Sequence, residues 1–373
     1  MLPTERSFVI IMRNPAQSLL DYGTSIWYDN ISRDLLLSGE LKHLVNECGV
    51  RGLTSNPTIF EKAVSGSTVY NESIKELKAS GLSSSQIFEE LALKDIAQAA
   101  DILLPVFESS NGIDGYVSIE VSPIYAFDAD STLNEARRLF SRLERKNIMI
   151  KIPGTKESMP AIQAALEDGI NVNVTLLFSV ENYEQVAKIY CNALKNRLLK
   201  GLSVSNIASV ASFFVSRVDS AIDLKLDKID TSVAKQLKGQ FAIANSKLAY
   251  AKYQEIFEGV EFNELKNNGA KVQRPLWAST GVKNPAYRDV RYVEELIGPN
   301  TVNTMPHETL ESFIDHGTLG VTITKEVEQA IKLKNNLEAL GINIFETLLE
   351  LQSVGVSKFI ESFEILNKTI EAK

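Results

Sequence analysis

Eight short apolar runs, each separated from the next by a longer stretch, constrain this chain more than any other feature. They fall at 25–29 (SIWYD), 51–55 (RGLTS), 116–121 (YVSIEV), 148–152 (IMIKI), 170–178 (INVNVTLLF), 207–214 (IASVASFF), 275–279 (PLWAS) and 301–305 (TVNTM). Runs of this length alternating with segments of helical periodicity are the pattern of strand–helix units on a parallel sheet, and eight such units suggest a closed barrel. The helical segments agree. Residues 82–107 carry an apolar stripe, and 231–257 set Phe241, Ala244, Leu248 and Ala251 on one face. A last helix, from roughly Ser357 onward, sets Phe359, Phe363, Leu366 and Ile370 on one side. The expected fold is α/β, a single (β/α)8 barrel with additional N- and C-terminal helices. An open doubly wound sheet is the rival, but its GxGxxG fingerprint after a first strand is missing.

No Pro/Gly/Ser-rich linker, internal repeat or low-complexity tract divides the chain, so one barrel domain is expected over 14–373, with an unstructured extension over 1–13. Met12 reads as a natural start, and residues 1–11 as dispensable. A length of 373 residues with 44% hydrophobic composition can bury a large core. Lys plus Arg number 39 against 47 Asp plus Glu, a formal charge of -8, which argues against nucleic acid or an anionic membrane surface as partner. An anionic ligand must then meet a local basic site. Cys48 and Cys191 are too few and too far apart for a disulfide framework, and the stretch FVII at 8–11 is too short for a signal core or a membrane span, so a cytoplasmic location is expected. His43, His307 and His316 lack a ligand spacing such as HxxxH and read as surface or capping residues, with no metal site. Amphipathic outer helices fit a monomer and a homodimer equally.

Strands of a parallel barrel are buried on both faces, so a charged residue within one is costly unless it is paired or sits at the open C-terminal end. Three such residues occur: Asp29 at the end of SIWYDN, Glu120 in YVSIEVSP and Lys151 in IMIKIPGT. A lysine there is a nucleophile if it is neutral, and burial beside other cationic groups draws its pKa down from about 10.4. Alone, such a lysine reads as a rim residue snorkelling to solvent or paired to a carboxylate. Pro153 and Gly154 force a turn straight after the strand and keep its backbone at the rim. Glu120 and Asp29 have the chemistry of an acid–base pair, although each singly also reads as an ion-pair or capping residue. In NVNVTLLFS the alternation puts Asn171, Asn173 and Thr175 on one face, suited either to a substrate or to an internal hydrogen-bond network.

Taken together, GLTSNPTIFEKA, SIEVSP, IMIKIPGT, GINVNVTLLFS, SVASFFVSRVD and RPLWASTGVKNP, in that order, resemble the transaldolase family, most closely its longer bacterial type. The resemblance runs from SIWYDNISRDLL to TVNTMPHETL. It implies transfer of a dihydroxyacetone unit between sugar phosphates through a Schiff base on Lys151, with no cofactor and no metal. It implies that Glu120 works through a water as acid and base, that Asp29 handles the proton of the substrate C4 hydroxyl, and that Asn56, Asn173 and Thr175 position the three-carbon unit and the water. For the phosphate it points to Ser212, Arg217 and Ser279. The chain departs from the short transaldolases, which carry an arginine two residues beyond the equivalent of Ser279; Gly281 stands there, and Lys283 is the candidate replacement. Two other readings are an aldolase of the same barrel type that releases free dihydroxyacetone, against which Glu120 argues, and a catalytically silent sugar-phosphate-binding barrel.

Overall fold

The computed structural model describes residues 13–373, so the start of the expected N-terminal extension, residues 1–12, lies outside the described residues. The strands are β1 (Thr24–Tyr28), β2 (Val50–Thr54), β3 (Val117–Glu120), β4 (Ile148–Pro153), β5 (Val172–Leu177), β6 (Ser209–Phe214), β7 (Arg274–Ala278) and β8 (Thr301–Met305). All pair in parallel in chain order, and β8 returns to β1 to close the barrel. Each strand overlaps one of the apolar runs, because a strand covered by helices outside and packed side chains inside is apolar on both faces. Register then fixes what meets at the open end: Glu120 pairs with Lys151, and Lys151 with Asn173, across three neighbouring strands.

Helices wrap the outside, and three depart from the sequence expectation. The helix expected over 82–107 spans Ser84–Ser109, because Ser83 and Gln86 form a capping box that sets its start. The stretch 231–257 is two helices, Ser232–Leu237 and Phe241–Phe257, broken at Gly239, whose φ is 68°. In the second, Phe241 and Ala244 are buried as expected, but Leu248 and Ala251 are only half-buried; Asn245, Ala249, Tyr250 and Tyr253 complete the inner face. The last helix begins at Ile344 and runs to Ala372, well before the expected start near Ser357. It packs on helices Pro57–Gly66 and Ser84–Ser109 at one side and on Ser216–Ile229 and β5 at the other, so it crosses the open end of the barrel. Phe359, Leu366 and Ile370 are buried and Phe363 half-buried along that line.

The opposite end of the barrel is closed by polar groups. Asp114, buried, accepts hydrogen bonds from Ser25 Oγ at 2.8 Å, Arg51 Nε at 2.9 Å, Arg274 Nη2 at 2.8 Å and Trp27 Nε1 at 3.2 Å. Burial pushes its carboxyl upward, but the guanidinium of Arg274 and then that of Arg51 outweigh it and hold the pKa below the usual 3.8.

Candidate active site

Lys151 stands on β4 with its side chain 5% exposed, and its Nζ donates to the Ser55 carbonyl at 3.0 Å. Glu120 Oε2 lies 3.6 Å away, an ion-pair distance too long for a hydrogen bond. Among the described residues, neither carboxylate oxygen of Glu120 has a hydrogen-bond partner, and neither does the buried hydroxyl of Thr175. Burial therefore pushes the Glu120 carboxyl up to about 7, against the pull of Lys151 and with a small push from Asp29. The lysine's close neighbours are thus a carboxylate and a backbone carbonyl.

Asp29 follows β1, and its Oδ1 accepts from Thr54 Oγ1 at 2.6 Å; Thr54 is in turn 2.6 Å from Thr304 Oγ1. Burial raises its carboxyl, with Lys151, Thr54 and Arg217 pulling the other way. Asn173 Nδ2 donates to Ser118 Oγ at 3.1 Å while its Oδ1 accepts from Ser212 Oγ at 2.6 Å, so Asn173 and Ser212 stand together inside the barrel. Asn171 separates from them: it bridges the Ile148 carbonyl and the Ala208 N–H at the far end of β5. Asn56 is the N-cap of helix Pro57–Gly66, its Oδ1 taken by the Ile59 N–H at 3.0 Å, which leaves its amide N–H groups to donate.

Around β6 and β7, Arg217 is half-buried at the start of helix Ser216–Ile229, its guanidinium 5.4 Å from the Phe214 ring centroid and, among the described residues, without a hydrogen-bonded partner. Burial lowers its pKa, with Asp29 opposing. Ser279 has a φ of 56° and meets Ser216 twice, hydroxyl to hydroxyl and carbonyl to N–H, each at 3.0 Å. Lys283 is exposed, yet its Nζ sits 3.9 Å from where a Cβ on Gly281 would be. A cavity of about 270 Å³ borders Asn56 and Glu120 and is walled by Phe60, Phe88, Ile119 and Phe363; Arg217, Ser279 and Lys283 do not line it. The histidines are engaged elsewhere, His307 with Tyr28 and Glu311, His316 with Asp289 and Asp315, and His43 4.0 Å from Cys48.

Two residues of this hydrogen-bond network were missed in the sequence. Thr54 and Ser118 lie in strands already singled out, and their inward register next to Asp29 and Asn173 was the available signal.

The profile of the family described as transaldolase/fructose-6-phosphate aldolase matches residues 26–370. A protein named transaldolase 2 from a Nostoc species is 46% identical over 96% of this chain and 97% of its own length. Transaldolases from Trichodesmium erythraeum and Mycobacterium tuberculosis are 45% and 46% identical over 97% and 93% of this chain, and 98% and 94% of theirs. Similarity that spans the barrel from β1 to the closing helix leaves no part of the site outside the comparison, and the chain belongs to the transaldolase/fructose-6-phosphate aldolase family.

Proposed function

We propose that this enzyme is a transaldolase that moves a dihydroxyacetone unit from sedoheptulose 7-phosphate to glyceraldehyde 3-phosphate, giving erythrose 4-phosphate and fructose 6-phosphate, through an imine on Lys151. The observation that carries the reading is the buried amine of Lys151 placed 3.6 Å from a carboxylate near neutrality. Glu120 at about 7 accepts a proton as readily as it returns one, so it can free the amine, then hand the proton through a water to the carbinol oxygen as water leaves. Thr175, whose hydroxyl has no partner among the described residues, and the N–H groups of Asn56 suit that water and the three-carbon unit. The protonated imine draws electrons from C2, Asp29 takes the C4 hydroxyl proton, the C3–C4 bond breaks, and the electron pair is stored as an enamine. The enamine then attacks the aldehyde of the acceptor, giving ping-pong kinetics.

For the phosphate, Arg217 offers a fork of donors that, among the described residues, is committed to no acceptor, at the positive end of a helix and beside Ser279. Lys283, folded back over Gly281, supplies charge where the short relatives' arginine would stand. Ser212, tied to Asn173, serves the three-carbon unit more directly than the phosphate. Cytoplasmic work on soluble sugar phosphates fits two unpaired cysteines and, among the described residues, no helix long and apolar enough to cross a membrane.

The test is direct. Incubation with fructose 6-phosphate, borohydride reduction and peptide mapping should put the added mass on Lys151, and Lys151→Met should abolish turnover. Mass on any other lysine overturns the assignment.

A further inference from the structure

One turn of the closing helix Ile344–Ala372 over the barrel mouth carries Gln352 and Gly355 three residues apart and therefore on one face. A Cβ at Gly355 would meet Leu176 Cδ2 at 2.9 Å and stand 3.8 Å from Arg217 Nη1, so the missing side chain is what permits the approach. At that approach Gln352 Nε2 lies 3.0 Å from the Gly154 carbonyl, 3.0 Å from the Leu176 carbonyl and 3.2 Å from Asn182 Oδ1. All three accept, so the amide turns its donors inward and shares one proton between two of them. Asn182 Nδ2 also donates to the Gly154 carbonyl, at 3.1 Å.

Those carbonyls belong to the two strands that carry the chemistry. Gly154 is three residues past Lys151, and its own N–H donates to the Thr175 carbonyl at 2.7 Å. Leu176 directly follows Thr175 and has a φ of 59°, a left-handed conformation that leucine avoids, where the β5–β6 register shifts. Such strain persists only when the surroundings over-determine it. Here the Gln352 donor on the carbonyl and the close pass of Gly355 over the side chain do so.

We propose that Gln352 is a positioning residue for the imine reaction, clamping the ends of β4 and β5 so that Lys151 and Thr175 keep one relative geometry. The inference rests on the role given above to Lys151. Gln352 acts through Gly154 and Leu176 and not on the substrate. If it served only to dock the helix, its loss would lower stability and leave each folded site as fast as before.

The experiment uses the full chain carrying Gln352→Met, which keeps length and helix propensity but removes both donors, and Gln352→Glu, which sets acceptors against the carbonyls. Wild type and Lys151→Met are run alongside. Sites competent for imine formation are counted by borohydride trapping with fructose 6-phosphate, and steady-state constants are expressed per trapped site. We expect Gln352→Met to lower kcat per site by about tenfold or more while KM stays within about twofold, with slower trapping at Lys151 and a larger loss in Gln352→Glu. An unchanged kcat per site in either folded variant, or a loss confined to KM, overturns the proposal. Should Gln352→Met not fold, Gln352→Glu decides on the same criteria. Absence of trapping at Lys151 in the wild type removes the imine reading and this inference with it; normal trapping there with wild-type kinetics in both variants removes the role of Gln352 alone.

Discussion

At the scale of single residues, the proposed chemistry turns on one carboxyl that burial will not let ionise early. Glu120 in an unfolded chain titrates near 4.5, and in the barrel it is pushed up to about 7. Between those values the folded state holds a proton that the unfolded state has released, so stability falls as pH rises, by at most about 1.4 kcal/mol per pH unit. Glu120→Gln lacks this slope. Unfolding curves at pH 5, 6 and 7 should show wild type losing ground to the variant at each step, and parallel curves would mean the carboxyl is not buried as described. The same titration should give kcat/KM an acid limb near pH 7, absent from Glu120→Gln, whose turnover should be lower by about 10²–10⁴-fold. Lys283 makes a separate claim: Lys283→Ala should raise KM for fructose 6-phosphate while kcat holds, and unchanged kinetics would return it to the solvent. Lys151, Glu120 and Asp29 were legible in the sequence because charge inside an apolar strand is expensive and calls for a reason. Which carboxylate stands nearest the lysine was not, since only the folded register sets Glu120 beside it.

At the scale of elements, the strands were readable and the helix ends were not. An apolar run eight times repeated survives any local noise, whereas a helix boundary depends on one residue's φ or on a partner far away in the chain. Gly239 is such a case. Its φ of 68° breaks the segment 231–257, and a Cβ there would lie 2.6 Å from the Tyr287 hydroxyl, which itself donates to Asp223 Oδ2 at 2.7 Å. Tyr287 sits in the loop after β7 that also carries Gly281 and Lys283. Gly239→Ala should cost about 2–4 kcal/mol through strain and overpacking. It should also raise KM for phosphorylated substrate as the loop shifts; a variant equal to wild type in both would show that the ring simply moves aside. Gly355 sits mid-helix, where a Cβ would crowd Leu176 Cδ2 at 2.9 Å. No pattern within residues 344–357 announces that contact, because the neighbour lies on β5.

At the scale of the molecule, the two ends of the barrel divide their labour, and the division is testable. Among the described residues, charges at the open end are left short of hydrogen-bond partners, as Glu120 and Arg217 are, and the proposed chemistry lies at that end, whereas Asp114 at the closed end is well supplied. Asp114 holds together β1, β2 and β7 through Ser25, Arg51 and Arg274, a tie among strands distant in sequence that no local motif reveals. Removing one partner of a buried ion pair strands the other, so Asp114→Asn, which leaves the Arg274 and Arg51 charges uncompensated, should cost about 3–5 kcal/mol. With an unfolding entropy of about 2.1 cal/mol/K per residue, that lowers Tm by about 4–6 °C. Because the native pKa lies below 3.8, the stabilisation is complete above that value and disappears as pH falls through the depressed native one. The gap between wild type and variant should therefore stay constant from pH 8 to 5 and narrow only in stronger acid. Turnover per folded site should not change, since the network closes the end of the barrel away from Lys151. A kcat that fell with Tm would mean the barrel transmits strain from floor to mouth, and the two ends would have to be treated as one cooperative site.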